Sequence, residues 1–483
     1  MRDVLYHFLP YVTAALSLVL SLSTSAHAII YKRDSRATVA WVGLIWLAPL
    51  LGSVLYMILG INRIRRRVEG ARGDEAARLV TLDDHHCTFA DLSKLLPSTA
   101  QHLIEMARLN ERITDLALLK GNHLTALRNG DEAYPAMLDA IAKAERSITL
   151  TTYIFDNDKA GRRFVEALSA ARKRGVEVRV LIDAVGARYS LPPVTQRLRM
   201  NGITTARFMP SYLPWTTPYF NLRSHRKSLV VDGRIGFTGG MNIRAGNLLA
   251  DGGNHPTQDI HFRVEGPVVN ELQATFAEDW MFTTREDLAG DAWYGQSQHV
   301  GAVAARVIPD GPDKNYDKMR MAFHGALSVA QQRVQIMTPY FLPDAALIGA
   351  LNTCALRGVE VDILVPAKNN LRLVAWASMA QMWQVLEWGC RVWLTPPPFD
   401  HSKLLVVDRA WSLVGSANWD PRSLRLNFEL GLECYDADLA MALSNMIDQK
   451  RDQSRSLTLD EVNRRRLPVK LRDGMARLFS PYL

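Results

Sequence analysis

The chain has 483 residues, 48% of them hydrophobic and 22% charged, with a formal net charge of +8 at pH 7. That length holds roughly three average domains, and the positive charge points to an anionic partner, either an acidic membrane leaflet or a nucleic acid. Its four cysteines, Cys87, Cys354, Cys390 and Cys434, are scattered without a Cys-x-x-Cys pair, which argues against a disulfide framework and a zinc ribbon and fits a reducing compartment.

Two charge-free stretches open the chain, Val4 to Tyr31 and Ala37 to Asn62, each longer than the roughly 20 residues that cross a hydrocarbon core. Lys32-Arg33-Asp34-Ser35-Arg36 divides them, a spacing that predicts a hairpin of two transmembrane helices over residues 1–62. A secretory signal ending at Ala26-His27-Ala28 is the alternative for the first stretch. The run is long for such a signal, and Arg2 with Asp3 beside it gives a poor basic start. Arg63, Arg65, Arg66, Arg67 and Arg72 beyond the second stretch outweigh Lys32, Arg33 and Arg36, which places both termini and the body of the protein on the cytoplasmic side.

Residues 63–122 read as a basic juxtamembrane linker of mixed helix and loop, with Pro97-Ser98-Thr99-Ala100 as a break and helix start. His85-His86-Cys87 looks like part of a metal cluster. No second ligand pair follows at a typical spacing, so a solvated segment is expected there.

Residues 123–310 and 311–436 repeat one another. Ser147-Ile148-Thr149-Leu150-Thr151-Thr152-Tyr153 is followed by a helix-like segment and Arg174-Gly175-Val176-Glu177-Val178. Arg333-Val334-Gln335-Ile336-Met337-Thr338-Pro339-Tyr340 is followed in the same way by Arg357-Gly358-Val359-Glu360-Val361. Strand, helix, glycine stop and strand recur in order, which predicts βαβ units and a mostly parallel sheet. Tyr153 and Tyr340 close their strands, at the end where an α/β sheet usually builds its site.

Each half then carries the same polar pattern, His225-x-Lys227-x4-Asp232 and His401-x-Lys403-x4-Asp408, running on into Gly239-Gly240-Met241-Asn242 and Gly415-Ser416-Ala417-Asn418. His401 lies 176 positions after His225, and Asn418 the same 176 after Asn242, so no gap opens between the copies. Ser228-Leu229-Val230-Val231 and Leu404-Leu405-Val406-Val407 read as buried strands. Residues two apart on a strand face one side, so each His and Lys project together while Arg226 or Ser402 points away. Two halves face to face offer two imidazoles and two ammoniums around one cleft, which suits attack on a phosphodiester. One imidazole acts as nucleophile, the other protonates the leaving alcohol, and the lysines neutralise charge on the phosphoryl oxygens. Asn242 and Asn418 add amide donors.

Residues 437–483 form a helical tail in which Leu467, Leu471, Met475, Leu478 and Phe479 recur at spacings near four, with Lys470, Arg472 and Arg477 between them. Packing against the catalytic body is the favoured expectation, and an amphipathic helix on a membrane surface is the alternative.

The doubled motif resembles that of the phospholipase D superfamily. Thr152-Tyr153-Ile154-Phe155-Asp156-Asn157-Asp158, Thr338-Pro339-Tyr340-Phe341-Leu342-Pro343-Asp344 and Asn418-Trp419-Asp420-Pro421-Arg422-Ser423 make the chain most similar, within it, to the bacterial cardiolipin synthases. The resemblance covers most of the chain. It implies an α/β fold of duplicated phospholipase D-like α/β/α halves forming one catalytic unit, a phosphohistidine intermediate, and no metal or other cofactor.

The same resemblance makes His225 the nucleophile and His401 the acid and then base, although the symmetry of the copies permits the reverse. Lys227, Lys403, Asn242, Ser416 and Asn418 are expected on the phosphate, with Gly240 lacking the hydroxyl that Ser416 supplies. Asp259 and Glu429 resemble the carboxylates that orient the opposing imidazoles. Asp232 and Asp408 complete the catalytic motif, but lie seven residues beyond each His, where they brace loops rather than join the reaction. The implied reaction joins two phosphatidylglycerol molecules into cardiolipin and glycerol at the bacterial inner membrane, with an anionic phospholipid rather than nucleic acid as partner. The alternatives are a phospholipase D that hydrolyses head groups, a superfamily nuclease and a non-catalytic membrane scaffold.

Overall fold

Arg2–Tyr31 runs as one helix of 30 residues, of which Phe8–Tyr31 is long and apolar enough to cross a membrane. The second apolar stretch is broken. Ser35–Leu47 ends at Ala48, the residue before Pro49, whose ring pushes its predecessor out of the helical region. The chain restarts as Pro49–Leu55 and a π turn, Tyr56–Gly60. The two stretches contact each other through Thr24 and Ser53 hydroxyls 3.2 Å apart and through His27 Nδ1 and the Tyr56 hydroxyl at 2.9 Å. This computed structural model describes residues 2–32, 35–60, 85–210, 221–251, 255–296 and 298–480, and the chain divides into two units, Met1–Gly70 and Ala71–Leu483. Arg33 and the Arg63 to Arg72 flank lie outside the described residues.

The first half of the larger unit contributes strands β1 (Leu119–Arg128), β2 (Ser147–Thr152), β3 (Glu177–Asp183), β4 (Thr204–Phe208), β5 (Arg223–Ser224), β6 (Ser228–Val231), β7 (Ile235–Gly239), β8 (Thr257–Gln258) and β9 (Ile260–Glu265). The second contributes β10 (Val303–Asp310), β11 (Arg333–Met337), β12 (Glu360–Pro366), β13 (Arg391–Thr395), β14 (Phe399–Asp400), β15 (Leu404–Val407), β16 (Trp411–Gly415), β17 (Asn427–Tyr435) and β18 (Arg455–Leu457). One sheet runs β18-β13-β12-β11-β15-β16-β17-β10-β1-β9-β7-β6-β2-β3-β4. Outward from the central β1–β10 pair, the order β9-β7-β6-β2-β3-β4 is matched by β17-β16-β15-β11-β12-β13, so the duplication recurs in three dimensions.

The sheet is mixed rather than mostly parallel. Along that path β2-β3-β4 and β11-β12-β13 are parallel, while β6, β7, β9 and their counterparts pair antiparallel. The cause is connection length: Asp232-Gly233-Arg234 joins β6 to β7, and a parallel pair needs a crossover of about a dozen residues.

Alternation along β2 shows how the layers are built. Ile148 and Leu150 join a core with Phe164 and Leu168 of helix Lys159–Lys173, whereas Thr149 on the other face bonds Gln273 of helix Val269–Thr284 at 2.7 Å. The second half repeats this with helices Lys318–Val329 and Ala345–Leu356 over one face and Ala437–Asp452 over the other. Two short pairings cross between the halves: β5 adds to β17, and β14 pairs with β8.

From His85 onward the expected linker is part of the fold. Cys87, Leu92, Leu103 and Met106 are buried in the same core as Phe323, because this stretch supplies apolar residues that the second half covers. The solvated His85-His86-Cys87 segment is corrected accordingly, since Cys87 is buried and burial pushes its thiol up to about 11. Among the described residues no three His, Cys, Asp or Glu side chains converge as metal ligands.

Candidate active site

The two crossed strand pairs end where the doubled motif begins. His225, leaving β5, donates its backbone N–H to the Phe428 carbonyl of β17 at 2.9 Å, and His401, leaving β14, donates to the Gln258 carbonyl of β8 at 2.8 Å. Each histidine is therefore built on one half and anchored to the other. The His-x-Lys segments occupy the extended connections between β5 and β6 and between β14 and β15, not the buried strands themselves.

The imidazoles are held the same way. His225 Nδ1 lies 2.9 Å from Glu429 Oε2 and His401 Nδ1 2.9 Å from Asp259 Oδ2. A Nδ1–H donated to each carboxylate leaves the Nε2 lone pair for chemistry. Both side chains are little exposed, 11% and 13%, enough for a ligand to reach them and little enough to desolvate them. They line one cleft of about 270 Å³ together with Tyr153, Tyr340, Asn242 and Asn418. The Tyr153 ring stands 5.4 Å from that of His225, and the Tyr340 ring 6.2 Å from that of His401.

Lys227 Nζ donates to the His225 carbonyl at 2.6 Å, and Lys403 makes the equivalent bond to His401. Arg226 turns the other way, into a buried ion pair with Asp279 at 2.8 Å. Asn242 accepts the Ile154 N–H through Oδ1 at 3.0 Å, which leaves its amide N–H groups as the donors toward a ligand. Asn418 donates to the Ser423 hydroxyl at 3.1 Å.

Ser416 is placed differently from the phosphate-binding role expected of it. Its hydroxyl donates to Glu429 and accepts from the Leu430 N–H, and it does not line the cleft. Gly240, its counterpart, leaves that space to Asp259: a Cβ there would come 2.5 Å from Asp259 Oδ1. The two orienting carboxylates are thus supported unequally.

Asp232 and Asp408 do not line the cleft. At the far ends of β6 and β15, with φ of 54° and 49°, they tie strand entrances together. Asp232 accepts the N–H groups of Glu145, Arg146 and Ser147, and Asp408 those of Gln331, Gln332 and Arg333 together with His102 Nε2 at 2.7 Å.

Burial dominates the electrostatics. It pushes His225 down to about 4, with the Lys227 charge adding and Glu429 opposing, and holds His401 well below the usual range. Burial also lowers Lys227 to about 7 and Lys403 to about 8. Glu429 would be raised by burial, but His225, Lys227 and the Ser416 hydroxyl together hold it below its ordinary value. Asp259, without such a hydroxyl and close to Asp400, is pushed by burial up to about 7. One pair is therefore a neutral imidazole on an ionised carboxylate, and the other takes up a proton near neutrality.

Sequence reasoning missed three arginines that line the cleft, Arg223, Arg244 and Arg422. Arg422 stood inside the Asn418 to Ser423 segment, so its signal was present. Asp183 was also missed: it accepts the Ser224 N–H at 2.9 Å and fixes the approach to His225.

Two imidazoles on carboxylates of opposed protonation, two ammoniums and amide donors form a site for displacement at an anionic phosphodiester. The family model described as Cardiolipin synthase, PLD-like domain matches residues 137–280 and 324–451, one segment in each half. Cardiolipin synthase 1 of Staphylococcus epidermidis is 30% identical over 463 residues, 94% of this chain and 93% of that protein. The chain belongs to the cardiolipin synthase, phospholipase D-like family. The major cardiolipin synthase ClsA of Bacillus subtilis is likewise 30% identical over 94% of this chain and 95% of its own length. A second family model, Phospholipase_D-nuclease N-terminal, matches residues 19–60. In fold, the family's doubled architecture is shared with phosphatidylserine synthase of Haemophilus influenzae, at a TM-score of 0.60 and 17% identity over 78% of this chain and 100% of that one.

Proposed function

We propose that the protein is a membrane phosphatidyltransferase that converts two phosphatidylglycerol molecules into cardiolipin and glycerol through a phosphatidyl-histidine intermediate. The observation that carries this reading is the crossed pair of His–carboxylate contacts around one cleft, in a chain matched along its length by cardiolipin synthases.

His225 is the nucleophile, because Glu429 is ionised and keeps the Nε2 lone pair available. Nε2 attacks phosphorus, the bond to the head-group glycerol oxygen breaks, and the proton held by the His401–Asp259 pair passes through His401 Nε2 to that oxygen. His401 then removes the proton from the terminal hydroxyl of a second phosphatidylglycerol, whose oxygen displaces His225 from phosphorus. One phosphodiester replaces another, so no energy source is consumed. Lys227, Lys403, Asn242 and Asn418 hold the phosphoryl oxygens, Asp259 and Glu429 orient the imidazoles, and residues 123–310 and 311–436 act as one catalytic unit.

Phe8–Tyr31 is the first membrane crossing, and the broken second stretch, folded against it, completes a hairpin in the bacterial inner membrane. The arginines from Arg63 to Arg72 keep the catalytic body on the cytoplasmic side. The partner of the basic charge is anionic lipid rather than nucleic acid.

Purified protein incubated with phosphatidylglycerol as the sole lipid tests the proposal. Cardiolipin with an equimolar amount of glycerol supports transfer; phosphatidic acid alone makes the protein a hydrolase, and unchanged lipid refutes both.

A further inference from the structure

The C-terminal helix Leu467–Leu478 has two faces with opposite fates. Asp473 and Ala476 are buried against helix Arg372–Met379, where Arg472 also lies over the Trp376 ring at 4.4 Å. Away from that contact Leu467, Leu471, Met475 and Leu478 are 68%, 58%, 64% and 77% exposed. Spaced by four, four and three, they form one apolar stripe along the helix. At 3.6 residues per turn, Lys470 and Arg477 border one edge of the stripe and Arg472 the other. The helix therefore both packs on the body and keeps an amphipathic outer face.

We infer that this stripe is a docking surface for an anionic phospholipid bilayer, and that it brings the active-site cleft to the lipid. A row of large apolar side chains more than half exposed costs free energy in water unless something covers it, and the bordering cations suit acidic head groups. Continuity with the cleft gives the second argument. Ala476 packs in one cluster with Val374 and Tyr340, and both of these line the cleft beside His401. Leu371, at the start of the supporting helix, lines the cleft while remaining 49% exposed. The stripe and the cleft thus share one supporting helix, Arg372–Met379, which sets the cleft close to the surface that the stripe occupies. The inference rests on the lipid reading above for its purpose, but not for the docking itself.

The test uses the full chain reconstituted in vesicles containing phosphatidylglycerol. The four native cysteines are buried, so an environment-sensitive dye goes selectively to Leu471→Cys or, as a control, to Lys143→Cys on the first half. Spin-labelled lipids should quench the dye at 471 and leave that at 143 bright. Equal quenching at both positions, or none at 471, overturns the inference. Shielding at 471 that lipid quenchers do not reach and that disappears as the protein is diluted in the vesicles assigns the stripe to a second copy, and also overturns it. In parallel, Leu471→Glu and Leu478→Glu should each lower turnover of long-chain lipid in vesicles by about ten-fold while leaving short-chain, dispersed phosphatidylglycerol unaffected. Equal loss on both substrates indicates a structural role and contradicts docking. If neither substrate is turned over by the unaltered protein, the phosphatidyltransfer reading fails, and the quenching result still decides the docking surface.

Discussion

His225 belongs to the first half of the duplication and Glu429 to the second, yet their side chains meet at 2.9 Å. With the reciprocal His401–Asp259 contact, each imidazole rests on a carboxylate supplied by the other half. Glu429→Gln keeps the shape but can turn the imidazole tautomer, placing the proton on Nε2. We expect kcat to fall by about 10²–10⁴ with KM little changed, the scale known for a wrong-tautomer histidine. Steady-state kinetics on folded protein check this, and an unchanged kcat argues that Glu429 does not orient His225.

The unequal support of the carboxylates gives a second expectation. Gly240→Ser puts a Cβ where Asp259 now sits and should displace it, costing more activity than Ser416→Ala, which removes one hydrogen bond to Glu429. A symmetric site would show the two variants equally impaired. The comparison is made on kcat/KM with unfolding curves as a control.

Burial of the catalytic groups fixes the sign of the pH dependence. His225 is held near 4, so protonation removes the nucleophile only in that region, and the acid limb of kcat/KM lies well below the ordinary histidine value. Lys227 near 7 and Lys403 near 8 lose their charge as pH rises, so the alkaline limb falls there in free enzyme. A bound phosphodiester stabilises the ammoniums, which moves the alkaline limb of kcat to higher pH than that of kcat/KM. Lys227→Arg, always charged, removes one of the groups that titrate there and should make the kcat/KM limb less steep, leaving Lys403 and the Asp259–His401 pair to set it; an unchanged slope contradicts the assignment.

Asp408 collects three backbone N–H groups and His102 at a turn outside the cleft. Asp408→Ala should lower stability by roughly 1–3 kcal/mol, from the hydrogen bonds to a charged carboxylate that are lost, while kcat per folded molecule stays near normal. Denaturant unfolding and active-site titration separate the two effects. Asp232→Ala should behave alike.

Much of this was legible in the chain because the chemistry repeats in register. The motif residues and the strand–helix–strand order follow from paired patterns, whereas the crossing of Asp259 and Glu429 to the opposite histidines was implied only by the family resemblance. Strand direction was less legible: apolar runs such as Ser228–Val231 read alike in either direction, and only the short Asp232-Gly233-Arg234 turn settles it. Pro49 announced the break in the second apolar stretch, but charge-free length masked it. Ser416 misled because a hydroxyl's acceptor is chosen by tertiary packing, here Glu429 on the neighbouring strand. The Leu467–Leu478 spacing was read correctly as periodic, but periodicity does not tell which of two faces is covered.

The central claim is a phosphatidyl group carried on His225, and rapid quenching tests it most directly. Protein mixed with phosphorus-labelled phosphatidylglycerol and stopped in alkali, where a phosphorus–nitrogen bond survives, should carry label that acid releases and that maps to His225. The same label should be missing from His225→Ala. Label that persists in His225→Ala, or that maps to His401, contradicts the account.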